Sequence, residues 1–143
     1  MSSTTFKVLV ADDIPLMRLM LAKYVATAGG AILEPVLGPI ELEVLEAANG
    51  EEAGELLEQH GDVQLLFLDL MMPVKDGLTL IKELRADSKH DDTKIVVCSA
   101  VGDRDVIQRA MSMGAEAYIV KPFTLRTVQD KLTEMYATPH TPA

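Results

Sequence analysis

The chain has one cysteine, Cys98, which excludes an internal disulfide and fits a reducing compartment, the cytoplasm. Cys98 lies in the apolar run Ile95-Val96-Val97-Cys98, so it reads as a small buried hydrophobe and not as a reactive thiol. Basic residues are also scarce: 13 Lys and Arg face 22 Asp and Glu, a formal net charge of −9. Binding a phosphate backbone needs a basic face, so this balance argues against DNA or RNA as the direct ligand. No uninterrupted apolar run reaches the roughly 20 residues that span a bilayer, so no membrane insertion is expected. No basic segment followed by a long apolar one opens the chain, and no secretory leader is read. The three histidines, His60, His90 and His140, show no zinc or haem spacing.

What is present is an ordinary globular composition, 48% hydrophobic and 24% charged over 143 residues. That length suits one domain, with its core expected over 6–136 and a frayed tail over 137–143. Ser2 to Thr5 are polar and are also expected to fray. Strand and helix patterns alternate. Phe6 to Ala11 is apolar and runs into Asp12-Asp13; Pro15 then suits a helix's first turn. Leu16, Met17, Met20, Leu21, Tyr24 and Val25 recur at helical spacing. Glu41 to Ala47 alternates acid and apolar residues, the mark of a half-exposed edge strand. Asn49 with Glu52 resembles a capping box for a helix reaching about His60. Val63 to Leu70 is a strand, and Asp76 caps a helix through Leu78, Ile81, Leu84 and Arg85. Lys94 to Ser99 is the next strand. Asp103 opens a helix that Gly114 stops. Ala117 to Val120 is the last strand, and Thr124 caps a helix to about Tyr136. Alternation of this kind gives an α/β fold with a five-stranded parallel sheet and helices on both faces.

Asp69 is the only polar residue in "LLFLDLMMP", residues 65–73. A carboxylate in such surroundings costs several kcal/mol, on the order of other isolated buried charges, unless the fold supplies partners. In a parallel sheet the strand C-terminal ends share one edge, where ligands bind. Asp12 and Asp13, Asp69, Ser99 and Lys121 all fall on that edge. Carboxylates so close repel one another unless a cation binds, and oxygen ligands favour a hard ion such as Mg²⁺. A hard cation, an ammonium, a hydroxyl and a carboxylate suit phosphoryl transfer, with the carboxylate as nucleophile. Read singly, each has a plainer role. Asp12 and Asp13 could end a strand and cap the Pro15 helix, Lys121 could be solvated, and Ser99 could be a loop hydroxyl.

Four motifs in order, "VLVADD", "LFLDLMMPVKDG", "VVCSA" and "YIVKPF", resemble the receiver domain of bacterial two-component response regulators, especially the single-domain chemotaxis type. The match covers about Phe6 to Tyr136. The resemblance implies the flavodoxin-like strand order 2-1-3-4-5. It implies Asp69 as phosphoacceptor, with Lys121 and Ser99 contacting the phosphoryl group. It implies Mg²⁺ bound by Asp13, Asp69 and the Met71 carbonyl, with Asp12 helping through water. Backbone N–H groups of Met71 and Ala100 would complete the anion cradle. Ser99 and Tyr118 match switch positions, and Pro122 matches a position that follows a cis peptide. The donor would be a histidine kinase or a histidine phosphotransfer protein. The output would be a protein target bound through the face of helix 4, strand 5 and helix 5. Such a protein accepts a phosphoryl group and slowly loses it, and is not a turnover enzyme. Apolar side chains at Met71 and Val101 border the approach of water and imply slow loss.

One segment departs from the pattern. "GGAILEPVLGPIELE" reads as an extended loop over about 29–40, either folded back over the core or serving as a docking patch. Other classes fit less well. A haloacid-dehalogenase-type phosphatase wants a second acid where Met71 stands. A flavodoxin wants a hydroxyl- and Gly-rich loop where "ADDIP" stands. A phosphorylation-independent interaction module has no need of the acidic pair, Asp69, Ser99 and Lys121 together.

Overall fold

The structure, a computed structural model, describes residues 4–100 and 104–137. Among them, five strands alternate with five helices: β1 (Thr4–Ala11), α1 (Pro15–Leu37), β2 (Ile40–Ala47), α2 (Gly50–Gln59), β3 (Val63–Asp69), α3 (Gly77–Arg85), β4 (Lys94–Ala100), α4 (Arg104–Ser112), β5 (Ala117–Lys121) and α5 (Leu125–Leu132). A short 3-10 turn (Ser88–His90) precedes β4, and a π-helical turn (Thr133–Ala137) continues α5. All strand pairs are parallel and the order is β2-β1-β3-β4-β5. This is the doubly wound, flavodoxin-like sheet, with β3 at its centre.

The central strands carry apolar residues at consecutive positions because both their faces are covered. Val8, Val10, Leu65, Phe67, Val96 and Cys98 pack under α1 and α5; Leu9, Leu66, Leu68, Ile95 and Val97 pack under α2, α3 and α4. The edge strand β2 keeps the alternation expected of it, with Glu41 and Glu43 exposed between partly buried Leu42 and Val44. Acids on an exposed edge also discourage pairing with another chain. Asn49, Asp76 and Thr124 cap α2, α3 and α5, each side chain accepting the N–H of the third residue on. The capping box at α2 is modified: Glu52 accepts from the N–H of Ala48 instead of Asn49. The cap expected at Asp103 lies outside the described residues, as does the expected tail beyond Ala137.

Three expectations are corrected. Thr4 and Thr5 are not frayed; they belong to β1 and pair with Ile40 and Glu41. Leu16 does not face the core but is 65% exposed. The extended loop expected over about 29–40 is helix as far as Leu37, so α1 runs 23 residues through Gly29, Gly30 and Pro35. Its apolar residues explain this. Leu33 is buried and Ile32 packs against the core, and a Cβ on Gly29 would meet Leu42 Cδ2 at 2.8 Å. The absent side chain lets helix and β2 close together. Beyond Leu37 the chain turns at Gly38, whose φ of 82° suits glycine. By length and hydropathy α1 could also cross a membrane, which the sequence's charge interruptions concealed. Here Leu21, Val25 and Leu33 bury its inner face against the sheet.

Candidate functional site

β1 and β3 end as neighbours, β5 ends on the far side of β4, and each brings a charged group to the same rim. Asp12 follows β1 and is 1% exposed; Asp69 ends β3 and is 5% exposed. Lys121 ends β5, and its Nζ donates to Asp12 Oδ2 at 3.0 Å and to Asp69 Oδ2 at 3.3 Å. The remaining oxygens are held by the carboxylates' own loops. Ile14 N–H donates to Asp12 Oδ1 at 2.9 Å, and Met71 N–H donates to Asp69 Oδ1 at 3.1 Å. Each is an Asx-type turn, in which the side chain orders the backbone two residues on. Ser99, near the end of β4, is buried on the same rim.

Asp13 completes the cluster. Oxygens of Asp12, Asp13 and Asp69 all lie within 4.8 Å of one another. Among the described residues, the Asp13 carboxylate makes no hydrogen bond or ion pair, so it is available to a ligand. It opens on a cleft of about 540 Å³ lined also by Leu70, Met71, Met72, Asp76 and Val106. The cluster therefore holds three carboxylates and one ammonium, which touches only Asp12 and Asp69. Burial pushes the Asp69 carboxyl above the ordinary carboxylate range; the Met71 N–H and Lys121 pull it down, and Asp12 adds to the rise. Burial disfavours the Lys121 charge, but the hydrogen bond to Asp12 and the charges of Asp69 and Asp12 outweigh it and lift its pKa. The excess negative charge and the all-oxygen donor set fit a hard divalent cation.

The loop after Asp69 is tightly drawn. Val74 has φ 69°, and Lys75 N–H donates to Pro73 O at 2.8 Å across it, a γ-turn of the rare positive-φ kind. A β-branched residue there is strained, a feature that nothing in the sequence signals. The peptide Lys121-Pro122 is cis. Tyr118 lies apart from the cluster, 44% exposed, with Lys131 Nζ 5.7 Å from its ring centroid. The Met71 side chain is 69% exposed, while Val101 lies outside the described residues. The sequence reading missed Arg18. Its Nη1 donates to the Asp12 carbonyl at 2.8 Å and its Nε to Glu46 Oε1 at 3.2 Å.

The profile of the family described as "Response regulator receiver domain" matches residues 8–133. The chain belongs to that family. Its relatives include a chemotaxis protein CheY homolog of Campylobacter jejuni, 34% identical over 132 residues, covering 92% of this chain and 93% of that protein. The CheY protein of Bacillus subtilis is 30% identical over 128 residues, covering 90% and 95%. Among solved structures, the chemotaxis response regulator CheY4 of Vibrio cholerae aligns with a TM-score of 0.75 at 28% identity, over 92% of this chain and 98% of that one. A response regulator receiver protein from Pseudomonas putida aligns with a TM-score of 0.74 at 25% identity, over 94% and 99%. As a receiver domain the chain is a phosphoacceptor signalling protein. Such a domain works, in general, between a histidine kinase and a downstream target.

Proposed function

We propose that Asp69 is the phosphoacceptor and that the surrounding rim residues run its chemistry. The observation that carries this reading is Lys121 Nζ held between Asp12 and Asp69 at 3.0 and 3.3 Å. An Asp69 oxygen attacks phosphorus, and the phosphorus–nitrogen bond of a phosphohistidine on the donor breaks. The electron pair leaves with the imidazole nitrogen, giving an aspartyl-phosphate. Attack requires the Asp69 carboxylate, whose burial favours the protonated form. Lys121 and the Met71 N–H offset that cost and then face the incoming phosphoryl oxygens. Ser99 and the Ala100 N–H close the cradle on the side of β4. Asp13, Asp69 and the Met71 carbonyl would hold Mg²⁺, with Asp12 helping through water. When bound, that ion neutralises charge on the transferring group. The apolar Met71 beside the acceptor favours slow self-dephosphorylation, as befits a signal carrier acting in the cytoplasm. The output reading is a protein target bound by α4, β5 and α5, with Ser99 and Tyr118 as the switch pair beside Pro122.

The test is mass spectrometry of the full chain after incubation with acetyl phosphate. One phosphoryl addition is expected, dependent on Mg²⁺ and abolished in Asp69→Asn. Addition that persists in Asp69→Asn would sink the assignment.

A further inference from the structure

The acidic pair lies on a connection with few anchors of its own. α1 opens at Ile14 and Pro15 with no side-chain cap, unlike the helices that begin at Gly50, Gly77 and Leu125. What fixes Asp12 is a set of contacts from its neighbours. Its N–H donates to Ala47 O at 3.1 Å, and its carbonyl accepts from Arg18 Nη1 at 2.8 Å. Its side chain is held by Ile14 and Lys121. Two of the main-chain anchors lead to the same place. Ala47 ends β2, and Arg18 reaches the preceding residue, Glu46, through its Nε at 3.2 Å.

We infer that Arg18 is a positioning residue for cation binding: it clamps the Asp12 carbonyl to Glu46 of the edge strand, and so fixes the peptide from which Asp13 projects into the carboxylate cluster. The inference rests on the Mg²⁺ reading above and goes beyond it, because Arg18 contributes no ligand. The chemistry suits arginine. Its planar fork presents several N–H donors in fixed directions, so one side chain spans a carbonyl and a carboxylate at once. Arg18 is too far along α1 to be a cap, and its side chain is only 20% exposed, so it is not a solvated surface charge. Groups that orient metal ligands commonly change affinity by one or two powers of ten when lost.

The sign of the effect separates this role from a plain electrostatic one. A guanidinium near a cation site repels the cation, so removing it would tighten Mg²⁺ binding if charge alone mattered. Loss of positioning weakens it. The experiment titrates the full chain with MgCl₂ alone, following the amide resonances of Asp13 and Met71, and records thermal unfolding of each variant without Mg²⁺. Arg18→Met, which keeps the apolar stem, is expected to bind Mg²⁺ on the order of tenfold more weakly while remaining folded. Arg18→Lys, whose donors all sit on one nitrogen instead of being spread over a rigid fork, is expected to show a smaller loss. Equal or tighter binding by a folded Arg18→Met overturns the inference. If that variant does not fold, equal or tighter binding by Arg18→Lys overturns it instead. Absence of saturable binding in the parent chain, or binding undiminished in Asp13→Asn, would overturn the Mg²⁺ reading itself, whatever Arg18 does.

Discussion

A single methyl group added at Gly77 would meet the Asp69 carbonyl oxygen at 2.7 Å and Leu70 Cα at 2.8 Å. Both are backbone atoms, so relief requires moving the end of β3 or the start of α3. Gly77 N–H also donates to Leu70 O at 3.2 Å, which seats the helix against the end of β3. Gly77→Ala should therefore lower stability by about 1–3 kcal/mol, the range for overpacking a tight site. It should also slow phosphorylation, because Asp69 moves with its strand. Urea unfolding and the rate of acetyl phosphate labelling check the two parts. At this scale the sequence is uneven. Asp69 is legible because one acid among eight apolar neighbours has no comfortable alternative. Arg18 is illegible because a lone arginine on a helix reads as a solvated charge; only the turn of the chain brings it under Asp12. Val74 is hidden for another reason. Its strain belongs to the closure of the loop, and valine is not the residue such a turn selects.

Among the elements, helices with a strong first residue were legible. Asn49, Asp76 and Thr124 each supply an oxygen three residues ahead of a bare N–H, and each cap forms as that chemistry predicts. α1 is the element the sequence conceals. Gly29, Gly30 and Pro35 are unfavourable in a helix one by one, and local propensity adds them up to a loop. Packing outweighs that sum, since Leu33 and Ile32 reach the core only if the helix continues. At 23 residues α1 is about 34 Å long, whereas the eight residues of β1 span about 27 Å. The helix thus outruns the strand it covers. Gly30 gives a direct test. A Cβ there would find only Glu34 Oε1, at 3.6 Å, which is ordinary contact. Gly30→Ala should raise stability by about 0.5–1 kcal/mol, the gain of replacing glycine inside a helix. An unchanged or lowered denaturation midpoint would argue that 29–37 is not helical in solution.

For the whole molecule, the strand order was legible only through the family resemblance; alternation alone gives a parallel sheet without saying which strands are neighbours. That order matters for output. β5 is an edge strand, and Tyr118 on it stands outside the cluster beneath Lys131. If Ser99 moves toward a phosphoryl group on Asp69, room opens beside β5 that Tyr118 can enter. This would be a local charge event biasing a two-state element. Beryllofluoride, which mimics the phosphoryl group on a carboxylate, should therefore shift amides along α4, β5 and α5, including Lys131. Shifts confined to residues beside Asp69 would contradict that proposal. Lys121 and Asp12 are 109 residues apart in sequence, and their contact holds the first strand and the last to one point. No fragment that lacks β1 or β5 contains that point. On the proposed reading, the message can be written only when the first strand and the fifth are both home.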